Sequence, residues 1–299
     1  MSKAGLLRRI ARRVRREFEN RWRTRIWESW HAQFADNPHN VDPSKISREL
    51  YLGLAEEVRS RQAAQYRKFH DELAEAFEFS PSPEFLKFID DLALVTQVGS
   101  KKHVRLLYLH GYLLYAALRQ YLDSHPEIET VTVLETGTAR GFSSLCMAKA
   151  LADSSRHGRI ITIDVLPPMH PLYWNCISDD EGKKNRFQLL HPWTDLIEKY
   201  IVYFQGYSEI ALRQLGLARV HFAFLDDEHT YDILKFELER VSALQRPGDV
   251  IVCDDYTPSM FPGVTRALDE FLAVGTYDGR LFESGENRGY MYCRRIAAP

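Results

Sequence analysis

The run VTVLETGTARGFSS, residues 131–144, decides the fold. A short, mostly apolar and β-branched stretch enters a turn carrying Gly137 and Gly141, and an apolar pattern of helical period follows over 142–152. Strand, tight loop and helix in that order make the opening of a strand–helix–strand unit. Glycine at the turn lets backbone approach a ligand with no Cβ in the way, and Ser143 is placed to cap the helix. The glycine spacing is G-x-x-x-G, not the G-x-G-x-x-G of dinucleotide folds, which counts against a pyrophosphate at this loop.

Downstream, IITID (160–164), YIVYF (200–204), VHFAFLD (220–226) and DVIVCDD (249–255) read as further strands, apolar enough to be buried on both faces. Helical patterns at 231–244 and 263–273 separate the later ones, and LFESG (281–285) with RGYMYCRRI (288–296) closes the chain as an antiparallel pair. The expectation is an α/β protein: a doubly wound, Rossmann-like sheet, mostly parallel with an antiparallel last strand, binding ligands at the carboxyl ends of its strands. The connection 165–199 is long and holds Pro167-Pro168, His170-Pro171, Tyr173-Trp174 and His191-Pro192-Trp193. Loops of that length are usually functional. Its rings suit a sugar face and equally a packed cover over the sheet.

Upstream of about 125 the periodicity is helical, broken at Asn37-Pro38, Asp42-Pro43 and the Ser80-Pro81-Ser82-Pro83 run. Segment 44–79 reads as a charged amphipathic helix and 103–122 as a buried one. The division expected is a helical region over 1–95 and an α/β domain over 96–299.

With 299 residues, 45% of them hydrophobic, the chain can bury a sizeable core. No apolar run is long enough to cross a bilayer and the arginine-rich start has no secretory h-region, so the expectation is a cytoplasmic protein. Cys146, Cys176, Cys253 and Cys293 lie far apart, without ligand spacing, and read as buried reduced thiols. The net charge of -2 conceals an asymmetry, because residues 1–25 hold ten Lys/Arg against Glu17 and Glu19. Leu7, Ile10, Val14 and Phe18 recur there at helical spacing, giving a basic amphipathic helix. Such a helix lies on an anionic membrane surface, meets another acidic partner, or packs on its own protein or a second subunit, making a homo-oligomer. Nucleic acid is not the partner expected.

Asp164 ends the second strand, where a carboxylate can accept both hydroxyls of a ribose. FLDDEHTYD (224–232) sets Asp226, Asp227, Glu228 and His229 past one strand end, and VCDDY (252–256) sets Asp254 and Asp255 past the next. Converging carboxylates resist joint ionisation unless a counter-charge is present. An oxygen-seeking divalent cation supplies one, Mg²⁺ foremost. Alternatively, the acids cap the helices at 231 and 263.

The run Glu135-Thr-Gly137-Thr-Ala-Arg-Gly141-Phe-Ser143 resembles the first motif of class I S-adenosylmethionine-dependent methyltransferases, and Gly206-Tyr-Ser208 resembles that family's G-x-S near the adenine. The resemblance implies that Glu135, Gly137, Gly141 and Ser143 surround the methionine portion, Asp164 the ribose, and Gly206 and Ser208 the adenine. L-D-x-x-H-x-Y with D-D-Y is similar to the macrocin-type and cephalosporin-hydroxylase-like metal-dependent O-methyltransferases. By that resemblance Asp226, Asp254 and Asp255 would hold Mg²⁺, and Glu228 or His229 would be the general base. Where that family often has glycine and aspartate, this chain has Asp227 and Glu228. The function implied is Mg²⁺-dependent O-methylation of a sugar hydroxyl in a glycan or glycosylated metabolite. The alternatives are a metal-independent methyltransferase acting on another small-molecule nucleophile and a non-catalytic binding protein that keeps the fold.

Overall fold

The computed structural model describes residues 48–97, 108–174, 176–284 and 288–296, so the basic segment 1–25 and the breaks at 37–43 lie outside the described residues. The elements are α1 (Arg48–Phe77), α2 (Pro83–Thr96), α3 (Leu109–Ser124), β1 (Thr130–Thr136), α4 (Phe142–Asp153), β2 (His157–Asp164), α5 (Arg186–Leu189), α6 (Thr194–Tyr200), β3 (Ile201–Gln205), α7 (Ser208–Gln214), β4 (Phe222–Leu225), α8 (Tyr231–Ser242), β5 (Val250–Cys253), α9 (Pro262–Ala273), β6 (Tyr277–Glu283) and β7 (Gly289–Arg295). Two 3₁₀ turns, Ile177–Glu181 and His191–Trp193, lie in the 165–199 connection.

The strands form one seven-stranded sheet in the order β3-β2-β1-β4-β5-β7-β6. All pairs from β3 to β5 are parallel, while β7 runs antiparallel to both β5 and β6. This is the doubly wound sheet expected, and the chain reverses its direction of travel across the sheet between β1 and β4, the crevice where such folds bind ligands.

Alternation along each strand divides the core in two. Val131, Val133, Phe222, Phe224, Val250 and Val252 face α1 to α4, whereas Leu134, Ala223, Leu225, Ile251 and Cys253 face α7 to α9. Helix α1 contributes Tyr66, Phe69, Leu73 and Phe77 at spacings of three and four, and Phe69 meets Phe282 and Tyr290 at 6.3 and 6.1 Å between ring centroids. Residues before and after position 95 therefore share one apolar cluster. Helix α2 starts where the Ser-Pro run indicates, with Pro83 in its first turn and Ser82 Oγ accepting from the Phe85 N–H at 3.2 Å. The four cysteines are buried and free. Among the described residues no helix is long and apolar enough to cross a membrane.

Candidate active site

Backbone hydrogen bonds carry the ladder past the strand ends and join their loops into one rim. Gly137 N–H donates to Ile163 (2.9 Å), Gly206 to Asp164 (2.8 Å), Asp226 to Thr136 (3.1 Å) and Asp254 to Leu225 (3.1 Å). Gly137 has φ +85°, and a Cβ there would stand 1.9 Å from the Asp226 carbonyl oxygen. The glycine is thus demanded by the neighbouring strand end, which brings the loop after β1 against the acids after β4. Gly141, also at φ +85°, precedes α4, and its Cβ would meet Leu190 Cδ1 at 2.8 Å.

Glu135 is fully buried, its carboxylate accepting from the hydroxyls of Ser143, Ser144 and Thr162. Burial pushes this carboxyl up, and the three hydroxyls oppose the shift. Ser143 therefore spends its hydroxyl on Glu135 and does not cap α4, which opens on Gly141 with no side-chain cap. The β-strand carboxylate and the helix start are tied together instead. Asp164 accepts from the N–H groups of Ala139 (2.5 Å) and Leu166 (2.7 Å). Burial raises its carboxyl, with the nearby Arg186 guanidinium pulling the other way.

Ser208 opens α7 as a buried residue, and its hydroxyl lies beside Asp227 and Glu237. Burial pushes Asp227 up to about 6. Glu237, on α8 and 2% exposed, is raised well above the usual carboxyl range by burial and then by the Asp227 charge.

The rim's acids separate into two groups. One donor atom each from Asp226, His229 and Asp255 lie within 4.8 Å of one another. His229 Nε2 is 2.5 Å from Asp255 Oδ2 and 3.4 Å from Asp226 Oδ1. Asp254 faces elsewhere: its Oδ2 is 2.5 Å from Arg288 and its Oδ1 accepts from the Asp255 N–H at 2.6 Å. Arg288 also stands 3.7 Å from Asp255 Oδ1. Asp255 itself adopts φ +59°, a left-handed conformation uncommon outside glycine.

The electrostatics follow from this division. Burial and then the Asp254 charge push Asp226 up to about 8. Burial alone would lower His229, but the two carboxylates it touches outweigh that and take it to about 10. Asp254, although buried, is held below its ordinary value chiefly by Arg288. His110 on α3 is pushed down to about 4 by burial, with the charges of Asp254 and Arg288 acting on it in opposite senses. Glu228 is half-buried in the same loop, where its carbonyl accepts from the Thr230 N–H at 2.5 Å. Neither α8 nor α9 has a side-chain cap, so the acids do not serve as helix caps.

The structure thus brings His229 in beside Asp226 and Asp255 and places Asp254 on Arg288. Sequence reasoning missed Arg288, Arg186 and Glu237. Glu237 carried a usable signal, since with Ile233, Leu234, Leu238 and Val241 it falls on the buried side of α8; Arg186 opens a one-turn helix and Arg288 lies just before β7, so neither has a period to read. The 165–199 connection is in part a packed cover: Trp174 is 1% exposed with its indole N–H on the Lys184 carbonyl (2.7 Å), and Trp193 packs toward Phe88, whereas His170 and His191 are exposed.

A family model described as a methyltransferase domain matches residues 134–256. No curated protein matches the sequence of the chain. Among solved structures, the O-methyltransferase NovP aligns with a TM-score of 0.52 at 14% identity over 71% of this chain and 99% of its own. The O-methyltransferase TomG of Streptomyces achromogenes, solved with S-adenosylmethionine, aligns with a TM-score of 0.48 at 19% identity over 69% of this chain and 89% of its own. At 14% identity the likeness to NovP is one of fold. Residues 134–256 are a methyltransferase domain, built on the fold of the class I S-adenosylmethionine-dependent enzymes.

Proposed function

We propose that the chain is a Mg²⁺-assisted O-methyltransferase, moving the methyl group of S-adenosylmethionine to a sugar hydroxyl of a glycan or glycosylated metabolite. The observation that carries this reading is the meeting of Asp226, His229 and Asp255 within 4.8 Å, on a strand end that the glycine loop touches. NovP, which shares the fold, is an O-methyltransferase by name.

Asp226 and Asp255 offer the hard oxygen donors that Mg²⁺ or Mn²⁺ takes, and His229 adds a nitrogen. A cation held there lowers the pKa of an acceptor hydroxyl and offsets the charge it develops. The remaining work belongs to the chain. The Gly137–Gly141 turn and Asp164 hold the cofactor so that its methyl carbon faces the acceptor, and alignment of the two reactants supplies much of the acceleration. As the acceptor oxygen forms its bond to the methyl carbon, the carbon–sulfur bond breaks, the sulfonium becomes a thioether, and the hydroxyl proton passes to Glu228, since His229 is committed to the cation and to the carboxylates of Asp226 and Asp255. Loss of such a base costs roughly 10²–10⁴-fold in turnover.

A second reading, methyl transfer without a metal, is favoured by one observation: Arg288 already balances Asp254 and reaches toward Asp255. The two separate in an assay of methyl transfer to sugar acceptors against Mg²⁺ concentration, run beside Mn²⁺ binding followed by electron paramagnetic resonance. On the metal reading, chelator abolishes transfer and Mg²⁺ restores it, while Asp226→Asn and Asp255→Asn weaken Mn²⁺ binding and shift the Mg²⁺ curve to higher concentration. Full activity in excess chelator would establish the metal-free reading instead.

A further inference from the structure

Arg186, in the connection between β2 and β3, is 1% exposed, yet it is a full positive charge beneath the cofactor rim. Its guanidinium lies over the rings of Trp174 and Tyr203, at 5.5 and 5.2 Å from their centroids. Nε donates to the Ala139 carbonyl at 2.9 Å, and one terminal nitrogen stands 3.6 Å from Asp164 Oδ2. Among the described residues that nitrogen has no hydrogen-bond partner, and neither does the buried Tyr203 hydroxyl. Ala139 sits at φ +44°, giving its N–H to Asp164 Oδ2 while its carbonyl receives Arg186. One side chain therefore fixes both the carboxylate and the peptide that is bonded to it.

A buried cation with a donor unspent costs free energy that simple packing of the cover would not require. An aliphatic residue would fill the space between Trp174 and Tyr203 with no such cost. The fork geometry is the part that only arginine supplies: one N–H to a carbonyl, another toward a carboxylate, and a flat face for two rings. We propose that Arg186 is a positioning residue for the cofactor's ribose, holding the Asp164 carboxylate and the Ala139 peptide in the orientation that selects a vicinal diol. This inference rests on the reading of Asp164 as the ribose acceptor. Arg186 acts through Asp164 and does not itself touch the reacting atoms.

The test is calorimetric binding of S-adenosylhomocysteine and of its 2′-deoxy analogue to the full chain, expressed as the ratio of the two dissociation constants. Wild type is expected to prefer the ribose compound. Arg186→Met, which keeps the stem and the ring contacts, is expected to cut that preference by about tenfold, the size of a lost hydrogen bond to a charged group. Arg186→Lys keeps the charge but not the fork, and is expected to lose at least about threefold of the preference, a share of that same bond; it also provides the readout should the methionine variant not fold. A merely structural role would lower the melting temperature, or both affinities together, and leave the ratio unmoved. A wild-type ratio in either folded variant overturns the proposal. Failure of the underlying reading looks different, because wild type itself would then bind the two compounds equally.

Discussion

At the scale of single residues, the buried acids of this site differ in what compensates them. Asp254 has Arg288 and Asp164 has two backbone N–H groups, whereas Glu237 is met by the hydroxyls of Ser208 and Thr136 and by the like charges of Asp227 and Asp226. The folded chain therefore holds the Glu237 proton to higher pH than the unfolded chain, where the group titrates near 4.5. A raised folded-state pKa means that the group's contribution is intact below 4.5 and is lost as pH rises toward the folded value. Glu237→Gln keeps shape and has nothing to ionise. Its melting temperature is expected to fall less steeply than wild type as pH rises from 4.5, and equal slopes in scanning calorimetry would show that Glu237 is not the group responsible. The aspartates were legible in the sequence because a strand end followed by paired acids is a pattern. Arg186 and Arg288 were not, since a lone arginine outside any long periodic run has the same appearance whether it is solvated or closed beneath two rings.

Among the elements, those buried on both faces were read almost to the residue. VTVLE, IITID and the apolar middles of VHFAFLD and DVIVCDD lie within or across β1, β2, β4 and β5, because double-sided burial forces a continuous apolar run. Edge strand β6 begins at Tyr277, four residues before its apolar part, since Asp278, Gly279 and Arg280 are exposed and leave no apolar imprint. Tyr200, read as strand, closes α6 instead. The short helices of the 165–199 cover were invisible for a related reason: α5 is one turn long, too brief for a period to register. Helix α1 was foreseen as amphipathic, but its partner was not. Phe69 is fully buried against Phe282 and Tyr290 of the β6–β7 hairpin. Phe69→Ala is accordingly expected to cost about 3–5 kcal/mol in urea unfolding, the range for a buried phenylalanine. A loss within the error of the measurement would mean that α1 docks without supporting the sheet.

For the molecule as a whole, the site draws on the loops after β1, β2, β3, β4 and β5, so a ligand seated there bears on the entire sheet. S-adenosylhomocysteine at a hundredfold excess over its dissociation constant is expected to stabilise the fold by about 2.7 kcal/mol and so raise the melting temperature by several degrees. No shift at saturating ligand, with binding confirmed by calorimetry, would place the cofactor on a unit that melts separately.

The strand order has a consequence for how the chain becomes active. Strands β1, β2 and β3 follow one another and pair in sequence, as do β4 and β5, but the seam between the two halves, Val133 to Thr136 against Phe222 to Leu225, joins segments far apart in the chain. Closing so long a loop is entropically costly, and contacts of that kind are made slowly. Gly137 and Asp226 lie on opposite sides of this seam, touching only once it has closed. A chain holding only the first half therefore has no crevice to offer, because the crevice lies between β1 and β4 and exists only where that seam is closed.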